Sequence, residues 1–276
     1  MALTATASIS TRDRIIMNLN IQDKCVVVSQ IPNKIIICYK VYEKPSDPMV
    51  VFLPLIFSMI WLSTKAKHND VLLFCPSYSA CDEVYSLIAS HLLQHNAMYD
   101  PPDAEQLSTA SVKCIQLACT SRSIKDRILE SFTKPDGKIR FLVATVAFGM
   151  GVNAPNIHCS IHWGCSNSID AYVQESGRCG RDGELSYAIL YYPYWQLSRK
   201  KMDGSHVISE EMRIYCNNKS VCHWKLLMSA FEDTPHFDQP APIHQCCDVL
   251  KLKYLKSHLL NLKFLLQKIE LMIHLL

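Results

Sequence analysis

One stretch, residues 140–183, constrains the fold more than any other part of the chain. Its apolar run 141–144 follows a Pro-Asp-Gly turn and is typical of a strand buried on both faces. Gly149 and Gly151 then let the backbone turn sharply and approach a ligand closely. A second apolar run and a helix complete the pattern. This order of elements predicts one unit of a parallel α/β sheet.

Two arginines close this stretch. Arg178 and Arg181 stand three residues apart in the sequence QESGRCGRDG, with Gly177, Gly180 and Gly183 leaving room around them. A guanidinium group carries a permanent charge and a fork of donors that fits phosphate oxygens. The pair therefore indicates a nucleotide site at the edge of a sheet.

These sequences resemble two motifs of the RecQ family of DNA helicases. The run ATVAFGMGVNAPNIHCSIHWG is similar to motif V, and QESGRCGRDG is similar to motif VI. RNA helicases of the DEAD-box kind have a related motif VI, but theirs begins with His-Arg where this chain has Gln174 and Glu175. The resemblance implies a RecA-like fold, which is a doubly wound parallel sheet, and a motor that moves 3′ to 5′ along one DNA strand.

Further matches follow the family order. The first residues, MALTATA, resemble motif III, and the strand and turn that end at Ser77 resemble motif IV, whose serine faces nucleic acid in the family. A plain strand and helix would explain Ser77 equally well. The series implies a remnant of a first RecA-like domain at residues 1–24 and a second RecA-like domain, the helicase C-terminal domain, at 25–194.

Hydrophobic patterns support a doubly wound sheet independently. They predict strands at 25–31, 34–41, 71–75, 113–118, 141–144 and 187–192, and helices at 11–19, 49–62 and 79–94. Alternating strands and helices favour a parallel sheet with right-handed connections. Because ligands of such sheets gather at the carboxyl ends of the strands, we expect motifs IV, V and VI there.

The resemblance assigns roles around ATP with Mg²⁺. Arg181 matches the arginine finger that points to the γ-phosphate, Arg178 matches its partner, and Gln174 couples the nucleotide to the domain interface. Phosphoryl transfer depends on such positioned charges rather than on covalent chemistry. In this family the ATP lies between two RecA-like domains, so these side chains would act across a cleft.

Motif V implies contacts with both ligands. Gly149, Gly151 and Asn153 match the nucleotide side of the motif, and Thr145 matches the side that binds DNA phosphates. Arg122 lies on the outer face of a predicted helix, where it either contacts phosphate or is simply solvated. Since phosphate contacts do not read bases, we expect binding of single-stranded or branched DNA by structure rather than by sequence.

Residues 195–250 resemble the small helical, zinc-binding subdomain of RecQ proteins. Cys222 and Cys247 match two of the four family ligands, while His244 and Leu250 occupy the places of the other two. Histidine can bind zinc, but leucine cannot.

Two alternatives therefore remain open for this subdomain. A structural Zn²⁺ needs four ligands, so Cys222, His244 and Cys247 would need help from Cys246 or Cys216 with altered geometry. Otherwise the site is eroded and holds free thiols without a metal.

The tail, residues 251–276, is rich in leucine with interleaved lysines and predicts an amphipathic helix. It either packs on the domain, pairs with another chain or lies on a membrane surface. We favour core packing or self-association. No membrane span is expected, because the longest apolar run, 49–62, is too short and contains Pro54.

Composition limits the cellular setting. With 49% apolar and 19% charged residues, the chain is globular rather than disordered. Its net charge of +3 is only weak support for a nucleic-acid partner. Thirteen cysteines without a signal peptide favour a reducing compartment, nuclear or cytoplasmic.

The chain contains neither a GxxxxGK[ST] loop nor an Asp-Glu-x-His motif. We therefore expect no ATPase or unwinding activity from this polypeptide alone. Three hypotheses follow: the C-terminal motor half of a RecQ-type helicase, seen as a fragment or incomplete gene model; a non-catalytic DNA-binding or regulatory module; or an interaction protein that uses the leucine-rich tail. The motif order favours the first, with a nuclear role in DNA repair and recombination.

Overall fold

The computed structural model describes ten ranges of the chain: 6–21, 26–28, 32–62, 70–94, 113–116, 122–134, 139–145, 154–204, 206–231 and 246–249. Side chains are described in these ranges except at 56–62, 91–94, 113–116 and 122–125. Four of the predicted site residues therefore lie outside the described residues: Gly149, Gly151, Asn153 and His244. The predicted tail helix at 251–276 also lies outside them.

Six parallel strands form one sheet in the order β1-β6-β5-β2-β4-β3. The strands are β1 (Ile37–Glu43), β2 (Asp70–Cys75), β3 (Lys113–Gln116), β4 (Ile139–Thr145), β5 (Ile157–Trp163) and β6 (Ser186–Tyr192). All six residues of β2 are buried, as expected for a central strand covered on both faces. The predicted doubly wound parallel sheet is confirmed.

Eight helices surround the sheet in the described part of the chain. They are α1 (Ile9–Asn18), α2 (Met49–Leu62), α3 (Tyr78–Gln94), α4 (Arg122–Thr133), α5 (Ile169–Ser176), α6 (Tyr194–Ser198), α7 (Glu210–Asn217) and α8 (His223–Met228). The helix predicted at 49–62 is confirmed with the same bounds.

Each face of the sheet has its own apolar core. Alternate residues of β2 divide between them, with Leu72 and Phe74 on one face and Val71 and Leu73 on the other. Helices α4, α5, α7 and α8 contribute to the first core, and α2 and α3 to the second. Helices α7 and α8, which belong to the predicted subdomain, therefore pack into the same core as one face of the sheet.

Two details at the start of the chain differ from the sequence predictions. The strand predicted at 25–31 is wrong for its described part, since residues 26–28 are irregular and exposed. Three consecutive valine or apolar positions do not make a strand without a neighbour to pair with. Helix α1 forms as predicted but buries no residue. It is held instead by polar contacts, because Ser8 and Thr11 hydroxyls donate to the Asp170 carboxylate at 2.9 Å.

Candidate nucleotide and nucleic-acid sites

The two residues predicted to contact DNA phosphates and described here come together at the carboxyl edge of the sheet. Thr145 ends β4 and pairs in register with Cys75, which ends β2. Ser77 follows two residues later and is exposed. Its hydroxyl accepts a hydrogen bond from the backbone N–H of Ala80 at 3.2 Å, which caps α3. Ser77 therefore has a local structural role whether or not it also binds DNA. The backbone of Arg122 begins α4.

Motif VI lies at the opposite edge of the sheet. The chain leaves β5 at its carboxyl end, but by Gly180 it has returned, and the Gly180 N–H donates to the carbonyl of Ile157 at 3.0 Å. Asp182 likewise contacts His158, with 2.7 Å between the carboxylate and Nε2. The prediction that motifs IV, V and VI share the carboxyl edge is therefore wrong for motif VI. A crossover connection carries the chain back across the face of a parallel sheet.

Two of the three glycines of motif VI, Gly177 and Gly180, are required by close packing, whereas Gly183 has open space around it. A Cβ atom at Gly177 would lie 2.8 Å from the carbonyl oxygen of Val173. Gly180 has a φ of +63°, and a Cβ atom there would lie 2.7 Å from Cδ1 of Ile36 and 3.1 Å from Oγ of Ser186. The turn is therefore pressed closely against its surroundings, and its conformation is fixed.

Lys34 holds this turn, and sequence reasoning missed it. Its ammonium group donates to the carbonyls of Gly177 at 2.5 Å and Cys179 at 3.2 Å, on either side of Arg178. Burial and then the nearby Arg181 lower the pKa of Lys34. The local sequence gives no signal of this contact, because Lys34 and Gly177 are 143 positions apart.

The three motif VI residues differ in exposure. Arg181 and Gln174 are exposed, whereas Arg178 is buried. Burial, followed by the charge of Arg181, lowers the pKa of Arg178, although guanidinium groups remain protonated at neutral pH. The structure thus presents Arg181 and Gln174 at the surface and holds Arg178 beneath them.

A buried polar network anchors α5 to the sheet. The Glu175 carboxylate accepts a hydrogen bond from the Ser166 hydroxyl at 2.6 Å and lies 3.0 Å from Nε2 of His162. The ring of Phe74 stacks on His162 with 5.0 Å between centroids. A buried carboxylate needs such partners. Glu175 therefore fixes the end of the helix from which Gln174 and the arginines extend.

Three cysteines cluster next to α8. The sulfur of Cys222 lies 3.1 Å from that of Cys246 and 3.7 Å from that of Cys247, and all three residues are buried. A tetrahedral zinc site with Zn–S bonds of about 2.3 Å needs sulfurs roughly 3.8 Å apart. The cluster matches that spacing closely enough to accept a metal with small shifts. Cys216 lies elsewhere, with its sulfur 3.6 Å from that of Cys165.

Polar side chains support this cluster. The carboxylate of Asp248 lies 2.7 Å from Nδ1 of His223 and accepts from the backbone N–H of Val41 at 3.1 Å. Burial alone would lower the pKa of His223, but hydrogen bonds to Asp248 and Cys247 raise it overall. His223, Cys247 and Asp248 form a second group of potential metal ligands that overlaps the first.

Comparison with known proteins identifies the sheet and its motifs. Residues 53–183 match the family described as helicase conserved C-terminal domain. The chain is 25% identical over 261 residues to the ATP-dependent helicase SGS1 of Saccharomyces cerevisiae, which covers 90% of the chain. It is 28% identical over 273 residues to the RecQ-like DNA helicase BLM of Xenopus laevis, which covers 93%.

A plant relative agrees. The chain is 30% identical over 212 residues, 76% of its length, to the ATP-dependent DNA helicase Q-like 4B of Arabidopsis thaliana. The matches span 16%, 18% and 16% of the yeast, frog and plant proteins, so each relative is far longer than this chain. Among the described residues, no helix is long and apolar enough to cross a membrane. The domain match and these relatives show that the chain belongs to the RecQ family of helicases and corresponds to the C-terminal half of the helicase motor.

Proposed function

We propose that this chain is the C-terminal motor half of an ATP-dependent DNA helicase that unwinds DNA in the 3′ to 5′ direction, with a nuclear role in repair and recombination. One observation carries the proposal. The motif VI turn is held rigidly by Lys34 and by close packing at Gly177 and Gly180, and it presents Arg181 at the surface. A charge held in this way is suited to a ligand bound on another domain.

At such a site each residue has a distinct task. Arg181 would contact the γ-phosphate and neutralise the charge that develops during transfer. Arg178 would stay beneath it and add positive potential, and Gln174 would contact the nucleotide side of the interface. ATP with Mg²⁺ would supply the phosphoryl chemistry. We assign Gly149, Gly151 and Asn153 to the same nucleotide.

DNA would bind at the other edge of the sheet. Thr145 and Ser77 share the carboxyl edge, and strands of seven residues separate the two edges by roughly 20 Å. A rigid sheet between the nucleotide and the DNA would move both contacts together when the domain moves. The neutral hydroxyls favour phosphate contacts without base readout.

The test is reconstitution of the divided active site. The purified chain alone should show no DNA-stimulated ATP hydrolysis, because it lacks the phosphate-binding loop and the acidic magnesium motif. Addition of a first motor domain from a RecQ relative should create that activity. Arg181→Ala should then lower kcat by about 1,000-fold or more. Lys134→Ala removes an exposed cation just after α4 and should leave kcat unchanged. Turnover by the chain alone that disappears in Arg181→Ala would refute the proposal.

The cysteine cluster supports a zinc site of Cys222, Cys246 and Cys247, with His244 as the fourth ligand. Thiolates are ligands that zinc prefers, and the three described sulfurs already converge. Zinc there would tie α8 to the segment 246–249. The purified chain should contain about one zinc per molecule by atomic absorption.

Variants separate the zinc site from an eroded cluster of free thiols. Cys222→Ser and Cys246→Ser should each lower the zinc content, while Cys165→Ser should leave it unchanged because Cys165 pairs with Cys216 instead. A wild-type chain that neither contains nor takes up zinc would establish the eroded alternative.

A further inference from the structure

Helix α6 carries two exposed aromatic rings. Tyr194 is 67% exposed and Trp195 is 61% exposed. The other two tryptophans whose side chains are described, Trp163 and Trp224, are buried. Exposed aromatic rings that lie next to one another are candidates for a binding surface.

These rings stand on a rigid support. The carbonyl oxygen of the Gln196 side chain accepts from the backbone N–H of Cys165 at 2.9 Å. Leu197 is buried in the core, and its backbone carbonyl accepts from Nε of Arg213 at 3.0 Å. The contacts of Gln196 and Leu197 therefore hold the backbone of α6 in place, with both rings on its exposed side.

A basic run follows the rings directly. Arg199, Lys200 and Lys201 are all exposed. Their backbone is ordered, since the carbonyl of Arg199 accepts from Val207 at 3.0 Å and Lys200 forms a bridge with His206. We call Tyr194, Trp195, Arg199, Lys200 and Lys201 the α6 patch. Aromatic faces next to positive charges are the combination that binds single-stranded nucleic acid.

The α6 patch lies on the same edge of the sheet as Ser77. The position of a Cβ atom on Gly164 would be 3.2 Å from Pro76 and 3.5 Å from Oε1 of Gln196, so Gly164 lies between the motif IV turn and α6. Along the edge, β6 is separated from β4 by β5 and β2. At about 4.8 Å per strand, Thr145 lies roughly 14 Å from the end of β6.

We propose that the α6 patch binds single-stranded DNA, with bases stacked on Trp195 and Tyr194 and phosphates bound by Arg199, Lys200 and Lys201. This inference rests on the proposed function and adds a second contact region beyond Ser77 and Thr145. One DNA strand would run along the carboxyl edge from Thr145 past Ser77 to the α6 patch.

The test measures binding of a fluorescently labelled oligo(dT) to the full chain by anisotropy. Trp195→Ala should weaken binding roughly five- to 100-fold, the range for loss of one base stacked on an aromatic ring. Trp195→Phe should recover most of the affinity because it keeps a ring. Ile214→Ala is the matched control, since Ile214 is an exposed apolar residue on α7, and it should bind like wild type.

The charges are tested by salt dependence. In the double variant Lys200→Gln with Lys201→Gln, the slope of log affinity against log salt should become shallower by about 1.4, or about 0.7 for each lost phosphate contact. Oligo(dT) should also quench tryptophan fluorescence in wild type, and this quenching should be lost in Trp195→Phe.

The outcomes distinguish this inference from the proposed function. If wild type binds oligo(dT) and Thr145→Ala weakens binding but Trp195→Ala does not, the α6 inference is wrong and the proposed function stands. If wild type does not bind DNA at all, the proposed DNA contacts of this chain fail, and the α6 inference fails with them. If Trp195→Ala instead changes the oligomeric state in size-exclusion chromatography at unchanged DNA affinity, the patch is a protein interface.

Discussion

The two edges of the sheet are built differently. At the amino edge, the Lys34 ammonium group, two closely packed glycines and the contact between Asp182 and His158 fix the short motif VI turn. At the carboxyl edge, Ser77 and the rings of α6 are exposed, and only their supports are buried. The amino edge therefore has one fixed geometry, whereas the carboxyl edge presents exposed side chains to a ligand.

This difference fits the chemistry proposed for each edge. A group that stabilises a transferring phosphoryl must be placed accurately, because misplacement of about 1 Å is costly. A surface that holds a moving strand must instead release it repeatedly, so contacts that tolerate any base are an advantage. Four experiments with single-residue variants test the stability of the edges and of the network between them, beginning with that network.

Glu175→Ala should have the largest effect. It removes a buried carboxylate and leaves His162 and Ser166 without their partner, which should lower the free energy of unfolding by about 3–4 kcal/mol. Urea unfolding followed by circular dichroism measures this change. Ser229→Ala, just after α8, is the control, because the exposed Ser229 hydroxyl donates only to the nearby carbonyl of Leu226. Equal stability of Glu175→Ala and wild type would show that the network does not anchor α5.

Asp70 should make the amino edge sensitive to pH. Burial raises the pKa of Asp70 to about 6, despite the Arg140 guanidinium 3.1 Å away. Because the folded-state pKa lies above the unfolded value, this residue contributes stability that is present below about pH 4 and is lost as pH rises through 6. Across this pH range the contribution of Asp70 to the free energy of unfolding should change by about 3 kcal/mol.

The measurement is the free energy of unfolding at several pH values between 4 and 7. Asp70→Asn should remove that contribution, so the difference between variant and wild type should change with pH by up to about 3 kcal/mol. A difference that stays constant across this range would contradict the assignment.

A pair of glycines separates packing from backbone strain at the amino edge. Gly180 and Gly183 both have positive φ, of +63° and +85°, but only Gly180 has neighbours within 4 Å of an added Cβ atom. Gly183→Ala should cost about 1 kcal/mol from strain alone, and Gly180→Ala about 2–3 kcal/mol. Thermal unfolding compares them. Equal losses at the two positions would mean that the turn is not closely packed.

A pair of half-buried lysines gives the smallest expected effect and compares the two edges directly. Lys34 makes two hydrogen bonds at the amino edge, whereas Lys44 lies over the Trp163 ring at the carboxyl edge, 4.2 Å from its centroid. Lys34→Met should cost about 1–2 kcal/mol and Lys44→Met less than about 1 kcal/mol. Urea unfolding measures both losses. A larger loss for Lys44→Met than for Lys34→Met would contradict the difference between a fixed amino edge and an adaptable carboxyl edge.

Much of the architecture followed from local patterns. The apolar run 71–75 predicted a strand because continuous hydrophobicity indicates burial on both faces, and all of β2 is buried. The run 187–192 also formed a strand, but only alternate residues of β6 are fully buried. Spacing of the arginines between glycines predicted a phosphate site. The predicted strand–helix–strand order already implies that the chain after β5 returns to the amino edge before Arg181, because parallel strands need such a crossover. Placing motif VI with motifs IV and V overlooked this consequence.

Contacts between distant residues were beyond sequence reasoning. Lys34 and Gly177 are 143 positions apart, and nothing in the local pattern pairs them. The contact between His162 and Glu175 was also not predicted, because each residue was interpreted only as part of its own motif. Cys246 was a secondary choice as a metal ligand because the family spacing pointed to His244, and only the fold brings its sulfur beside Cys222.

The short segment before β1 has a mechanical consequence. Asn33 accepts a hydrogen bond from the indole of Trp224 at 3.1 Å, and the next residue, Lys34, donates hydrogen bonds to the motif VI turn. Two adjacent residues are thus hydrogen-bonded to two different parts of the domain. A force applied to the chain from its amino-terminal side would act on both α8 and the motif VI turn rather than bend this segment. Asn33 and Lys34 therefore couple the position of α8 to that of the motif VI turn.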